Sequence, residues 1–138
     1  MKKFIIGLAL LLLTSGFTWK QPLNDATEQV VHAIIGEAAG ETLAGQVAVA
    51  CGILYRPEGL YGVNGSEMTR TPSWVERQTA IDALYWALEP GVCAGFGYPD
   101  MWCSDLDVCR EAWQGVPMIY ITKEGNHNFY RRITTKGE

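Results

Sequence analysis

The stretch IIGEAAGETLAGQVAVACGILYR, residues 34–56, decides the fold of this chain. Apolar residues recur at helical spacing on both sides of its corner, GEAAGE. We therefore expect two helices joined by a tight turn. The first is predicted to span Ala26 to Ala38. The second is predicted to begin near Thr42 and to end before Pro57, because proline cannot continue a helix.

Capping residues and glycines refine this prediction. Asp25 and Glu28 have the spacing of a capping box, in which both side chains bond free backbone N–H groups at a helix start. Gly40 is placed to end the first helix in the left-handed conformation. Gly45 and Gly52 lie inside the second helix, where each costs about 1 kcal/mol relative to alanine. We expect these two glycines to mark close contacts between helices.

A third helix is predicted after the loop that residues 57–72 are expected to form. Ser73 and Glu76 give a second capping-box spacing, and Pro90 follows the expected end near Glu89. The apolar stripe of this helix is expected to consist of Trp74, Ile81, Tyr85 and Leu88.

The C-terminal part of the chain predicts less regular structure. Residues 91–104 are rich in glycine and aromatic residues and are expected to be irregular, and a short helix is predicted over residues 105–114. Residues 118–122 and 128–133 are expected to pair as a hairpin around the turn at 123–126. The predicted fold class is therefore α+β, mainly α-helical, with a small C-terminal β-hairpin.

Composition restricts the function classes. The chain has 138 residues, enough for one domain, and 48% hydrophobic with 19% charged residues exclude intrinsic disorder. A net charge of −4 argues against binding nucleic acid through its phosphates. Only two histidines occur and no CxxC pair, so no metal site is expected. No cofactor is expected either.

The N-terminus has the layout of a secretory signal peptide. Lys2 and Lys3 precede an apolar run at residues 4–13 and small residues at 14–16. We assign residues 1–18 to this segment, with an uncleaved membrane anchor as the alternative, and residues 19–138 to a single domain. The protein is therefore expected to be exported, either secreted or held in the cell envelope, and monomeric.

The four cysteines form an even set in a chain expected to reach an oxidising compartment. Three disulfide connectivities are possible. Cys103 and Cys109 could close a small local loop, whereas Cys51 with Cys93 would link distant segments. Buried free thiols are the alternative.

Two glutamates flank the corner in different environments. Glu37 falls in the last turn of the first helix, where the helix dipole and apolar neighbours favour the protonated carboxyl that a general acid needs. A solvated glutamate at a helix end is the alternative. Glu41 falls at the start of the next helix, where a negative charge is favoured and a capping role is the default. Gln46 could face a groove or solvent.

A second polar cluster lies near the C-terminus. In a strand, His127 and Phe129 share one face, while Asn126, Asn128 and Tyr130 share the other. We expect His127 or Tyr130 to hydrogen-bond a substrate or to orient Glu37, with a polar edge strand as the alternative. Among the tryptophans, Trp102 is the best candidate for stacking on a sugar.

The blocks GEAAGE, GQVAVA and ILYR, followed near the C-terminus by GNHNFYR, resemble the SleB-type cell-wall hydrolases, the spore-cortex-lytic family. Those proteins carry a GEARGE-like corner, a GQVAVA helix with an LNR-like end and a GNHVFY-like segment. The resemblance covers about residues 27–132. Tyr55 stands in place of the asparagine of the LNR triplet, and Asn128 in place of valine.

The resemblance implies a lysozyme-like, lytic-transglycosylase-related fold. It also implies cleavage of peptidoglycan glycan strands between N-acetylmuramic acid and N-acetylglucosamine, with Glu37 as the catalytic acid/base. A hydrolytic mechanism would need a second carboxylate, for which Asp82, Asp100 and Asp105 are unranked candidates. Alternative functions are a non-catalytic glycan-binding protein and an exported interaction domain held by disulfides. The expected substrate-binding residues are Glu41, Gln46, Tyr55, Trp102, Asn126, His127 and Tyr130.

Overall fold

The computed structural model of the protein describes residues 23–60, 63 and 69–133. The segment predicted to be a signal peptide lies outside these residues. The described residues form five helices and three strands, in the order α1 (Asp25–Ala38), α2 (Leu43–Tyr55), α3 (Trp74–Leu88), α4 (Val92–Gly95), β1 (Met101–Cys103), α5 (Leu106–Ala112), β2 (Met118–Glu124) and β3 (His127–Arg132). None of the helices in these residues is both long and apolar enough to cross a membrane.

The predicted α+β class is confirmed, but the hairpin belongs to a three-stranded antiparallel sheet of order β1–β3–β2. Strand β1 pairs with β3 so that Trp102 lies opposite Phe129. The prediction of an irregular segment over residues 91–104 is therefore wrong in part, since α4 and β1 lie within it. A strand of three residues is too short to show an alternating pattern in the sequence.

The hydrophobic core lies where α1, α2 and α3 pack together. The middle of α2, from Gly45 to Ile53, is buried without interruption. Alanine, glycine and valine dominate this segment, and small side chains let neighbouring helices approach closely. Phe129 is the largest fully buried side chain that the sheet adds to this core. The sheet is thereby fixed against the helices through β3.

The predicted apolar stripe of α3 is wrong at three of its four residues, and only Ile81 is partly buried against the core. Trp74, Tyr85 and Leu88 are 67%, 60% and 58% exposed. The buried face is formed instead by small residues and one leucine, namely Ala80, Ala83, Leu84 and Ala87. Apolar side chains surround α3 on several sides, so periodicity does not select one face, and close helix packing selects the alanines.

The helix starts show where local signals are reliable. The capping box of Ser73 and Glu76 at the start of α3 is confirmed. The predicted capping box at Asp25 is wrong, because the helix begins one residue earlier. Asn24 is the N-cap, and its side chain accepts a hydrogen bond from the Thr27 N–H at 2.8 Å. The sequence offers two adjacent residues that both suit an N-cap.

The turn between α1 and α2 also differs from the prediction. Gly40 is absent from the residues with positive φ, so its expected left-handed conformation is wrong. Ala39 continues in the right-handed region, and the Glu41 N–H donates to the carbonyl of Ala38 at 2.9 Å. These contacts satisfy the end of α1 without a left-handed residue.

Two disulfides are present, Cys51–Cys93 and Cys103–Cys109. This is the pairing considered from the spacing, and free thiols do not occur among the described residues. The first disulfide joins α2 to α4, and the second joins β1 to the middle of α5. Both brace the segment that carries β1.

Candidate active site at the helical corner

Glu37 lies in the last turn of α1 and is half-buried. Its neighbours Ile34 and Ile35 are buried in the core and fix the direction of this turn. The indole N–H of Trp102 donates a hydrogen bond to Glu37 Oε2 at 3.0 Å. A carboxyl group that reaches solvent is thus held by a neutral donor from the sheet, across 65 residues of sequence.

Trp102 is positioned by α2 as well as by β1. An ideal Cβ built on Gly52 would lie only 2.7 Å from atoms of the indole ring, so this position accepts no side chain. Arg56, one helical turn further on, places its guanidinium carbon 5.6 Å from the ring centroid. The helix contact predicted for Gly52 is wrong, because the close neighbour is the Trp102 side chain of β1. This close approach explains how the indole reaches Glu37.

Glu41 makes a second link between the corner and the sheet. Its side chain is only 7% exposed, and its two carboxylate oxygens accept from the Asn126 N–H at 3.1 and 3.0 Å. Gly125, with φ of 57°, forms the turn between β2 and β3. A Cβ at Gly125 would lie 1.6 Å from Glu41 Oε2. The turn therefore needs glycine both for its backbone conformation and for space.

His127 and Gln46 surround Glu41 inside the protein. His127 Nδ1 lies 3.4 Å from Glu41 Oε1, with 11% of the histidine side chain exposed. Gln46 is 3% exposed and donates through Nε2 to the backbone carbonyl of Glu41 at 3.4 Å. Glu41, Gln46, Asn126 and His127 are thus brought together, and they connect the corner to the hairpin, with Asn126 at the surface.

Comparison with known proteins rests on the fold. No family model matches the chain, and no curated protein matches it in sequence. The structure is similar to the catalytic domain of the germination-specific lytic transglycosylase SleB from Bacillus anthracis, with a TM-score of 0.53 and 24% identity over 81% of this chain and 98% of that one. The protein has the SleB catalytic-domain fold. The SleB catalytic domain of Bacillus cereus matches with a TM-score of 0.52 and 24% identity, over 77% of this chain and 89% of that one.

This similarity confirms the fold that the motifs implied. Within the fold, some of the expected site residues lie at the corner and others lie away from Glu37. Tyr130 does not lie with Glu37. Strand alternation puts it on the outer face of the sheet, where its ring packs edge-on against Trp113 at 5.5 Å and Tyr120 at 5.6 Å. The expectation that Tyr130 orients Glu37 is therefore wrong, and Trp102 makes that contact.

Tyr55 lies at the end of α2 and is 52% exposed. Its ring packs against Tyr98, with centroids 4.8 Å apart. Sequence reasoning missed Tyr98, because nothing local to the GFGYPD segment signals a partner on α2. Tyr55 therefore belongs to an exposed aromatic pair near the Trp102 contact.

The three aspartates considered as a second carboxylate each have another contact. Asp100 accepts from the backbone N–H and the Nε of Arg132, both at 3.0 Å. Asp82 accepts from Gln78 at 3.0 Å, and Asp105 accepts from the backbone N–H of Asp107 at 3.0 Å. None of these contacts is with Glu37.

Next to this site, a cluster of Arg132, Asp100 and Glu58 ties the sheet to the segment after α2. Arg132 binds both carboxylate oxygens of Glu58, in the segment after α2. The hydrogen bond from Arg132 lowers the pKa of Glu58 to about 2, and the same contact raises the pKa of Arg132. Glu58 also lies 3.7 Å from Arg56, the residue that contacts Trp102.

Two cavities occur elsewhere among the described residues, and Glu37 lines neither. One of about 600 Å³ lies beside the exposed aromatic residues of α3, with Tyr85, Trp86, Asp82 and Glu89 in its wall. The other, of about 300 Å³, lies on the outer face of the sheet beside Trp113 and Tyr130.

Proposed function

We propose that this protein cleaves the glycan strands of peptidoglycan at the bond between N-acetylmuramic acid and N-acetylglucosamine, with Glu37 as acid/base. The observation that carries this proposal is the half-buried Glu37 carboxyl held by Trp102 at the corner of a SleB-type fold. The similar structures are SleB catalytic domains, one of them described as a lytic transglycosylase, which supports the same reaction class here.

The mechanism needs one carboxyl group. Protonated Glu37 donates its proton to the glycosidic oxygen, and the bond from that oxygen to C1 of the muramoyl residue breaks. The C6 hydroxyl of the same muramoyl residue attacks C1, and its proton passes to the Glu37 carboxylate. The product is a 1,6-anhydro ring, and Glu37 returns to its protonated form. Trp102 keeps the carboxyl in one orientation throughout, since its N–H donates to Oε2.

A hydrolytic mechanism would require a second carboxylate that activates water. The candidates Asp82, Asp100 and Asp105 are each engaged by another side chain or by backbone. This favours the one-carboxylate reaction, in which the nucleophile comes from the substrate.

The products distinguish the two mechanisms. Purified peptidoglycan is digested with wild-type protein, and the ends of the fragments are identified by mass spectrometry. Glu111→Gln, which changes an exposed glutamate on α5, serves as the matched control. We expect anhydro-muramoyl ends from both proteins. Reducing muramic ends would contradict the one-carboxylate mechanism. No fragments, with retained sedimentation of protein with the wall, would contradict cleavage and favour a glycan-binding protein.

We also propose that the protein is exported. The N-terminal layout of residues 1–18 and the two disulfides support this, because disulfides persist in oxidising compartments. Expression of the full chain with fractionation of the cells tests it. The expected result is protein outside the cytoplasm, with an intact mass that lacks the N-terminal segment or a membrane-bound full-length chain. Cytoplasmic full-length protein would contradict export.

A further inference from the structure

Two exposed tyrosines lie side by side at the end of α2. Tyr55 is 52% exposed and Tyr98 is 41% exposed, and their ring centroids are 4.8 Å apart with planes tilted by 58°. Exposed aromatic rings in contact form a broad apolar surface that carries hydroxyl groups at its edge. Such surfaces pack on ligands that have both apolar and polar faces.

The pair is held rigidly by covalent and backbone contacts. Cys51 lies one helical turn before Tyr55 and is disulfide-bonded to Cys93. The carbonyl of Cys93 accepts a hydrogen bond from the Tyr98 N–H at 2.9 Å. The helix, the disulfide and this hydrogen bond thus fix the backbone at Tyr98 relative to the backbone at Tyr55. A fixed backbone loses little conformational entropy when a ligand binds.

The backbone of Tyr98 is strained. Its φ of 51° makes it the one non-glycine residue with positive φ among those that the structure describes. Bulky side chains rarely adopt this conformation, and strain of this kind concentrates at binding and catalytic sites. The strained conformation places the Tyr98 ring on Tyr55, which points to a use for the ring itself.

The tyrosine pair adjoins the Glu37 site along α2. Gly52, which contacts the Trp102 indole, lies three residues before Tyr55, and residues at this spacing share one side of a helix. Arg56, next to Tyr55, lies over the same indole. Trp102 in turn donates to Glu37. The α2 residues that contact Trp102 thus flank Tyr55, which places the tyrosine pair near the Glu37 site.

We infer that Tyr55 and Tyr98 form a sugar-binding subsite next to Glu37, which takes an N-acetylated sugar ring of the strand being cleaved. This inference rests on the proposed function. The apolar C–H face of a pyranose packs on aromatic rings, and its hydroxyl and amide groups bond the polar edges.

The test measures the affinity of soluble glycan strands, freed of their stem peptides, for proteins that carry Glu37→Gln so that no strand is cleaved. Tyr55→Ala and Tyr98→Ala are each expected to weaken binding about 3- to 10-fold. Tyr98→Phe keeps the ring and should lose less than Tyr98→Ala. Tyr85→Ala removes a tyrosine of similar exposure, 60%, on α3 and should bind as well as its parent.

The length of the strand separates a subsite from a structural role. The loss is expected for long strands, which reach the tyrosines and Glu37 together, and not for a disaccharide bound at one site. If Tyr55→Ala binds long strands as tightly as its parent, the inference is overturned. Tyr55 lies at a helix end, so this variant alone decides the test if Tyr98→Ala does not fold. A loss of affinity by the same factor for long strands and for the disaccharide would indicate a structural role and would also overturn the inference.

The two proposals fail in different ways. Glu37-dependent cleavage by a protein whose tyrosine variants keep full affinity leaves the proposed function standing and removes the subsite. Affinity that depends on the tyrosines in a wild-type protein that makes no cleavage products keeps the subsite and removes the enzymatic function. A parent protein that binds no glycan strand at all removes the subsite, and it removes the enzymatic function too if the wild-type protein makes no cleavage products.

Discussion

At the scale of single residues, the contact between Trp102 and Glu37 links the sheet to the candidate catalytic carboxyl. Trp102→Phe removes the N–H donor and keeps an aromatic ring against Gly52. We expect kcat for release of soluble glycan fragments to fall about 10-fold, because the loss of one hydrogen bond that orients the acid costs about 1.4 kcal/mol. KM should change less. Trp113→Phe, on the outer face of the sheet, is the control.

Initial rates at several substrate concentrations separate the two constants, and thermal unfolding checks that both variants fold. Unchanged kcat in folded Trp102→Phe would show that the indole N–H does not position Glu37.

Gly125 is the residue on which the contact between the corner and the hairpin depends most strongly. Gly125→Ala is expected to lower the free energy of unfolding by more than about 2 kcal/mol, since a Cβ there collides with Glu41 Oε2 in addition to the strain at positive φ. Gly115→Ala, at φ of 78° with no atom within 4 Å of the new Cβ, should cost only about 1 kcal/mol. Denaturant unfolding of both variants measures the difference.

Equal destabilisation by the two substitutions would mean that the Glu41 contact adds nothing to the turn. Restored stability in the double variant Gly125→Ala with Glu41→Ala would support the collision directly, because removal of the carboxylate makes room for the methyl group.

At the scale of elements, the Cys51–Cys93 disulfide is expected to stabilise the fold more than Cys103–Cys109. The first closes 42 residues of chain and the second closes 6. The chain-entropy relation gives about 4 kcal/mol for the longer loop and about 2 kcal/mol for the shorter one. Paired replacement of each disulfide by alanines, followed by denaturant unfolding, tests the order. A larger loss at the shorter loop would contradict it.

The presence and approximate bounds of α1, α2 and α3 were predictable, and the sheet contacts were not. Alternation placed His127 and Phe129 on the same buried face, as found. The three residues of β1 carry no readable period, so the strand that delivers Trp102 was missed. Tyr98 was missed for a related reason, because its ring packs on Tyr55, and a contact between residues so distant in sequence has no local signal.

The candidate site divides in the same way. Glu37 could be predicted as a candidate acid from its place at a helix end and from the motifs around it. The role of Glu41 could not be predicted, because the N–H that donates to its carboxylate belongs to Asn126, 85 residues away. A local pattern predicts a first-turn acid at this position, and only the folded chain shows that the turn between β2 and β3 rests on it.

At the scale of the whole molecule, the pair of Glu58 and Arg132 ties the chain after α2 to the sheet. Arg132 holds the folded pKa of Glu58 at about 2, below the usual 4.5. A lowered carboxyl pKa stabilises the fold above pH 4.5, and this contribution is lost as the pH falls from 4.5 toward 2. At pH 7, Glu58→Gln should therefore have a lower Tm than wild type. Near pH 2, the difference in Tm between the two proteins should be smaller.

Thermal unfolding of both proteins across this range gives the comparison. Glu76, whose pKa Arg70 also lowers to about 2, titrates in the same window, so the prediction concerns the difference between the two proteins. A difference in Tm that does not change with pH would contradict the role of this ion pair.

The most direct test of the account is the effect of Glu37→Gln on purified peptidoglycan, with fragment release and co-sedimentation measured on the same samples. Glutamine keeps the size of the side chain and an oxygen for the Trp102 N–H, but it cannot transfer the proton. We predict that fragment release falls by about 10²- to 10⁴-fold while the bound fraction stays at the wild-type level. Fragment release at the wild-type rate by Glu37→Gln would contradict the assignment of Glu37 as the acid/base.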